Sequence, residues 1–163
     1  MAKSPPKKDV QVLLIEADEG RAVQLQAAMR GMRRQVKVVA DPESALITLA
    51  MDPPDIIVLS IAPDMPREGE KFSGRLPPPG VTLCRRIRAV EKFSGPIIVL
   101  SDFDLPRDHL DYYRGGADEI HPREISRDTV KERMAFWFDN TRNNFDAFEY
   151  RMAAIDALLK QGL

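Results

Sequence analysis

The sequence predicts a single α/β domain built on a doubly wound parallel sheet. Short, almost wholly apolar runs recur along the chain, and most are followed by a helical pattern of apolar residues three and four apart. Runs of this kind are typical of strands that are buried on both faces of a parallel sheet. Alternation of such strands with helices predicts right-handed crossover connections. A chain of 163 residues is long enough for one such domain.

Five apolar runs predict the strands: Val10–Ile15, Val36–Ala40, Asp55–Ser60, Pro96–Leu100 and Ala117–Ile120. A helical pattern follows the first run and ends near Gly31, where glycine suits a helix C-terminus. Asp41 and Pro42 predict the N-cap and first turn of the second helix. The third and fourth helices are predicted at Val81–Val90 and Arg107–Arg114.

A further segment, Ile61–Gly80, is irregular and contains five of the 13 prolines. Such a long stretch without regular structure is unusual inside a compact domain. We therefore interpret about 64–79 as an insertion or a functional loop.

The C-terminal segment from Ser126 to Lys160 predicts one long helix, because it contains neither glycine nor proline. Eight of its residues, all apolar except Thr141, are spaced alternately four and three apart, which is a seven-residue repeat. They are Met134, Phe138, Thr141, Phe145, Phe148, Met152, Ile155 and Leu159. The part after Phe138 is expected to extend beyond the domain, so 139–163 is predicted to bind a second copy or a partner helix. The residues expected to make that contact are Phe138, Phe145, Phe148, Met152, Ile155 and Leu159. The alternative is that the helix folds back onto its own domain.

The composition excludes several classes of protein. The net charge of −1 gives no electrostatic reason to bind nucleic acid or an anionic membrane. The single cysteine, Cys84, excludes an intramolecular disulfide, and two histidines argue against a histidine-rich metal site. No apolar run is long enough to span a bilayer, and residues 1–8 predict a disordered basic tail with no signal-peptide core. We therefore expect a cytoplasmic protein.

Ligands of open parallel sheets bind at the carboxyl ends of the strands, and the residues there carry a family resemblance. The chain resembles a receiver domain of bacterial two-component response regulators over about 9–138. The matching stretches are Leu13–Arg21, Pro54–Pro63, Gly80–Ala89, Pro96–Ser101 and Gly116–Glu119. The resemblance implies a flavodoxin-like (βα)5 fold with strand order 2-1-3-4-5, here with a long C-terminal helix.

The resemblance also assigns roles, and this sequence departs from several of them. The acidic pair that helps to hold Mg²⁺ falls on Glu16 and Ala17, so one carboxylate is missing unless Asp18 replaces it. The phosphoacceptor aspartate falls on Ser60. The hydroxyl residue that contacts the phosphoryl group is retained as Ser101.

The lysine after the fifth strand falls on Arg123, unless His121-Pro122 is read as the family's Lys-Pro dipeptide with a shorter loop. The aromatic position that often accompanies signalling falls on Ile120. Arg123 is expected to pair with Glu16 or Asp18 and to fill the site with a fixed salt bridge.

The chemistry of phosphorylation leads to the same expectation as the departures from the family pattern. Formation of an acyl phosphate needs a carboxylate nucleophile and a divalent cation, and two or three carboxylates create the cation site. Ser60 carries only a neutral hydroxyl, which we expect to bond to backbone or water. The Mg²⁺ site is therefore predicted to be degenerate, with no cofactor bound.

These residues predict a non-phosphorylatable pseudo-receiver. It would be a protein–protein interaction module of two-component or phosphorelay signalling, dimeric through its C-terminal helix, and not an enzyme. Its partners are expected to be proteins and not nucleic acid or membrane. One alternative is a receiver phosphorylated at Asp64 or Ser60. The other is a flavodoxin-like binder of a small ligand, although the acidic segment 16–19 disfavours anionic cofactors.

Overall fold

The structure is a computed structural model that describes residues 9–31, 33–69, 71, 74–142 and 146–163. The predicted basic tail, 1–8, lies outside the described residues. Five parallel strands form one sheet: β1 (Val10–Ile15), β2 (Arg34–Val39), β3 (Ile56–Ser60), β4 (Ile97–Leu100) and β5 (Glu119–His121). Their order is β2-β1-β3-β4-β5, so the predicted doubly wound sheet and its strand order are confirmed.

Six helices accompany the strands in the described part of the chain: α1 (Glu19–Met29), α2 (Pro42–Met51), α3 (Val81–Ala89), α4 (Pro106–Gly115), α5 (Arg127–Arg142) and α6 (Ala147–Lys160). Asp18 caps α1 and Asp41 caps α2, each through a side-chain oxygen that accepts a backbone N–H three residues on. Among the described residues, no helix has both the length and the hydrophobicity needed to cross a membrane.

The core lies on both faces of the sheet, which explains why the central strands are apolar at nearly every position. On one face, alternate residues of β1, β3 and β4 pack against α1 and α5. On the other face, the intervening residues pack against α2, α3 and α4. β2 is an edge strand, paired only with β1 in the described sheet, and its residues alternate between half-buried and exposed from Arg34 to Val38.

The C-terminal segment differs from the single long helix that the sequence predicted. It forms two helices, and α6 begins after the N-cap Asp146, whose side chain accepts the backbone N–H of Glu149. α6 packs against α4 and α5, which matches the alternative that this segment folds back onto its own domain. Phe138 is 2% exposed in the core, so it is not available to a partner. Phe145 lies outside the described residues.

The face of α6 that meets the domain is short and partly polar. Ala147 is buried, and the ring of Tyr150 packs against Trp137 at 5.3 Å between centroids. Arg151 donates to the backbone oxygen of Gly116 and to Asp118, both at 3.1 Å. These contacts hold α6 against the start of β5, whereas the large apolar residues of its repeat point elsewhere.

The described residues of the insertion are irregular, and Arg75 connects them to α4. The side chain of Arg75 reaches two acids of that helix, with N–O distances of 3.6 Å to Asp108 and 3.1 Å to Asp111. Pro77, Pro78 and Pro79 are buried. The end of the insertion therefore lies against α4, where Pro79 also accepts a hydrogen bond from Tyr112.

Candidate functional site

The carboxyl ends of β1, β3, β4 and β5 lie along one edge of the sheet, because the strands are parallel and adjacent. The sheet order reverses at β1, which lies between β2 and β3, and such a switch point is where open α/β sheets bind ligands. Most of the sequence-predicted site residues follow directly on these strand ends.

Glu16 is the centre of the site. Its side chain is fully buried immediately after β1. Arg123, in the turn after β5, donates from Nη2 to Oε1 of Glu16 at 3.0 Å. Arg123 therefore contacts Glu16, one of the two partners expected for it. His121 instead lies 2.8 Å from Glu119 through its Nε2 atom.

A second guanidinium group, which the sequence analysis missed, faces the same carboxylate. Nε of Arg21 lies 3.6 Å from Oε1 of Glu16, and the Arg21 side chain is only 15% exposed. Arg21 is in the first turn of α1, so its backbone is fixed next to the strand end by the Asp18 cap. The sequence did contain a signal for Arg21: an arginine five residues after a strand-end acid, within the stretch that carried the resemblance.

Ser60 lies beside Glu16 on the neighbouring strand. The register pairs Ile15 with Leu59, which brings the next residue of each strand, Glu16 and Ser60, side by side. Ser60 is 2% exposed, and its Oγ has no hydrogen-bond partner among the described residues. The expected bond from Ser60 to neighbouring backbone is therefore not formed.

Ser101 belongs to a chain of hydrogen bonds that continues through Tyr112. Its Oγ accepts the backbone N–H of Phe103 at 3.0 Å and lies 2.9 Å from the hydroxyl of Tyr112. The Tyr112 hydroxyl also donates to the backbone oxygen of Pro79 at 2.8 Å. Burial raises the pKa of Tyr112 far above its usual value, so this hydroxyl stays protonated.

The remaining acidic candidates do not enter the site. Asp18 is exposed, and its carboxylate caps α1. Ala17 is also exposed and has no polar side chain. Asp64 is exposed in the insertion, where Met65 donates to the backbone oxygen of Ala62. The missing carboxylate is therefore not supplied by either neighbour.

The residues of the site do not fit Mg²⁺. A hard divalent cation prefers several oxygen ligands that include carboxylates. Here Glu16 is the one buried carboxylate of the set, and its Oε1 already faces two guanidinium groups. The described residues also contain no cluster of three or more His, Cys, Asp or Glu side chains able to hold a metal.

A second buried ionic cluster lies at the opposite end of β5, and the sequence analysis did not anticipate it. Asp118 is fully buried. Its Oδ2 atom accepts hydrogen bonds from Arg88 Nη2 at 2.7 Å and from the backbone N–H of Ile97 at 2.8 Å. Its Oδ1 atom accepts a hydrogen bond from Arg151. Its neighbour Glu119 contacts Arg133, His121 and the hydroxyl of Tyr150. These contacts join three helices to one short strand: α3, α5 and α6.

The ionisation of Glu119 shows how strongly that cluster is charged. Burial by itself raises the pKa of a carboxyl group. For Glu119, the hydrogen bonds from His121 and Arg133 outweigh burial and lower its pKa to about 2. Glu119 is therefore ionised at neutral pH and supports the contact between β5, α5 and α6.

Several solved structures are similar to this chain. The Francisella response regulator 1452 receiver domain gives a TM-score of 0.66 at 19% identity, covering 82% of this chain and 99% of that one. A two-component response regulator from Clostridium difficile gives 0.65 at 18% identity, with coverage of 80% and 97%. The chemotaxis response regulator CheY4 of Vibrio cholerae gives 0.64 at 15% identity, with coverage of 79% and 98%.

At these identities the likeness establishes the fold alone: this chain has the fold of receiver domains. Neither a protein-family model nor a curated protein sequence matches it.

Proposed function

We propose that this protein is a pseudo-receiver: a protein–protein interaction module of two-component or phosphorelay signalling that is not phosphorylated and is not an enzyme. The observation that carries the proposal is the buried Ser60 at the strand end where a receiver has its phosphoacceptor aspartate. A serine hydroxyl needs an adjacent base to act as a nucleophile. Glu16, the acid that follows the neighbouring strand, faces Arg123 and Arg21 through its Oε1 atom instead.

Two further contacts support the loss of phosphotransfer. Ser101, the position that would contact a phosphoryl group, is bound to Tyr112 and to the backbone of Phe103. The loop residue Pro79 accepts the other hydrogen bond of Tyr112, so the insertion stabilises this arrangement. A phosphoryl group at Ser60 would need these groups to rearrange together.

Incubation with acetyl phosphate and Mg²⁺ should therefore leave the intact mass of the protein unchanged. A receiver domain that retains the aspartate, treated in parallel, serves as the control and should gain one phosphoryl mass. An Mg²⁺-dependent adduct on this protein would contradict the proposal. Peptide mapping of that adduct would then test the alternative sites, Asp64 and Ser60.

The second part of the proposal concerns the partner, which we expect to be a second copy of this chain. The outer face of α6 carries Phe148, Met152 and Leu159, which are 59%, 44% and 41% exposed, with Ile155 half-buried between them. Their spacing of four, three and four is the spacing of a helix–helix seam. Exposed apolar residues in a continuous row favour an interaction surface.

Folding back of α6 does not remove the need for a partner. The residues that α6 places against its own domain are Ala147, Tyr150 and Arg151. The apolar seam remains on the outside. A two-fold contact between two copies would cover each seam with an identical one, which is how most homodimers associate.

Replacing Phe148 and Met152 together by glutamate should convert a dimer into a monomer, as measured by light scattering coupled to gel filtration. Each buried side chain contributes about 1.5–3 kcal/mol, so the dissociation constant should rise by at least about 100-fold. The matched control is glutamate at Ala153 and Ala157, which are exposed on another flank of the same helix. The control should remain dimeric, and a monomeric wild-type protein would contradict self-association.

A further inference from the structure

Two arginines converge on one buried carboxylate at the carboxyl edge of the sheet. Arg123 Nη2 and Arg21 Nε lie 3.0 Å and 3.6 Å from the same oxygen, Oε1 of Glu16. The Glu16 side chain is 0% exposed, and those of Arg21 and Arg123 are 15% and 14% exposed. A buried carboxylate needs such compensation, because burial of an unpaired charge is very costly.

The three residues come from separate parts of the fold. Glu16 follows β1, Arg21 is in the first turn of α1, and Arg123 is in the turn that leads from β5 to α5. Arg123 therefore joins segments that are 107 residues apart in the chain, whereas Arg21 comes from the helix that follows Glu16 directly.

We infer that Arg21 and Arg123 together replace a divalent cation at this edge. In a receiver, bound Mg²⁺ would supply the positive charge at this edge, whereas here two arginine side chains carry it permanently. This inference deepens the proposed function and rests on it in taking the edge to be free of phosphotransfer.

The positive charge of the two arginines is permanent for a chemical reason. A guanidinium group does not lose its proton at any physiological pH, so the charge is always present. A cation that entered would meet two like charges and would find Glu16 as its one buried carboxylate ligand. The edge is thus held in one arrangement whether or not Mg²⁺ is present.

The inference can be tested by restoring the missing carboxylate with and without the arginines. Four proteins are compared by thermal unfolding, with and without saturating Mg²⁺ at constant ionic strength. They are the wild type, Ala17→Asp, Arg21→Gln/Arg123→Gln, and the triple variant Ala17→Asp/Arg21→Gln/Arg123→Gln. Circular dichroism before heating checks that each variant is folded.

The wild type and Ala17→Asp should show no change of midpoint with Mg²⁺, because the arginines still fill the cation position. The triple variant should gain roughly 5 °C, since a ligand present at about 100 times its dissociation constant stabilises the folded state by an amount of that order. The arginine double variant should unfold at a lower temperature than the wild type and gain less from Mg²⁺ than the triple variant.

Two results would overturn the inference: an equal Mg²⁺ response in Ala17→Asp alone, or a folded triple variant without any response. If the triple variant does not fold, Ala17→Asp/Arg123→Gln replaces it. Mg²⁺ should raise the unfolding midpoint of this variant by a smaller amount, because Arg21 remains. No increase in that midpoint would also overturn the inference. A phosphoryl adduct on the wild type would contradict the proposed function, and it is measured separately from the unfolding midpoints. Failure of the inference and failure of the proposed function are therefore distinguishable.

Discussion

Replacing Asp118 by asparagine is expected to lower the free energy of unfolding by about 3–5 kcal/mol, the range for breaking a buried ion pair from one side. The Asp118 side chain is 0% exposed and accepts hydrogen bonds from Arg88, Arg151 and the backbone N–H of Ile97. Burial raises the pKa of Asp118 and the two arginines oppose that effect. Asparagine would leave both arginines largely buried without a counter-charge. Urea denaturation would measure the loss.

The matched control is Asp156→Asn. Asp156 also pairs with a basic residue, Lys160, at 2.9 Å, but both side chains are exposed on α6. Exposed pairs of this kind contribute roughly 0.3–0.5 kcal/mol. If the two variants lost similar amounts of stability, the Asp118 cluster would have no structural importance. Amide exchange in α6 should also accelerate in the Asp118 variant, because Arg151 is one of the contacts that attach that helix.

The second large effect is expected for Trp137→Ala, with a loss of about 3–5 kcal/mol in the free energy of unfolding. Trp137 is 0% exposed and packs edge-to-face against Phe136 and Tyr150, at 5.1 Å and 5.3 Å between ring centroids. Removal of the indole would leave a cavity between α5 and α6. Thermal or urea unfolding, monitored by circular dichroism because the only tryptophan is removed, would measure the change.

Met51→Ala provides the comparison for Trp137. Met51 is 81% exposed at the end of α2, so its truncation removes little buried surface and should cost less than about 0.5 kcal/mol. A Trp137 variant as stable as the Met51 variant would mean that α6 does not pack on α5 in solution. In that case the fold-back of the C-terminal segment would be wrong.

Local patterns predicted the elements of the fold well where apolar runs were long. Val10–Ile15 was predicted with the bounds that the structure has, and Asp55–Ser60 differed by one residue. The edge strand was less clear, because Arg34 and Gln35 pair with β1 although they are polar. An edge strand exposes part of each residue to water, so its sequence is less constrained.

The C-terminal segment shows what local patterns miss. The seven-residue repeat runs through residues 134–159, which predicted one helix. The structure instead begins α6 at a capping aspartate, Asp146. Asn143 and Asn144 were an available signal, since asparagine is a weak helix former. The direction of the second helix depends on contacts such as Arg151 with Asp118, which are 33 residues apart.

In the candidate site, too, some features could be predicted from the sequence and others depended on the tertiary structure. The sequence by itself determined the residue types at the strand ends: a serine at 60, an alanine at 17 and an arginine at 123. The alternation of apolar runs with helices also determined that the sheet is parallel and doubly wound, whereas the strand order 2-1-3-4-5 was expected from the resemblance to receiver domains. Only the tertiary structure decided that Arg123 and Arg21 share Glu16, and that α6 turns its apolar seam outward. The reason is physical: a long charged side chain reaches several ångströms in any direction, so its partner depends on the packing of distant segments and not on spacing along the chain.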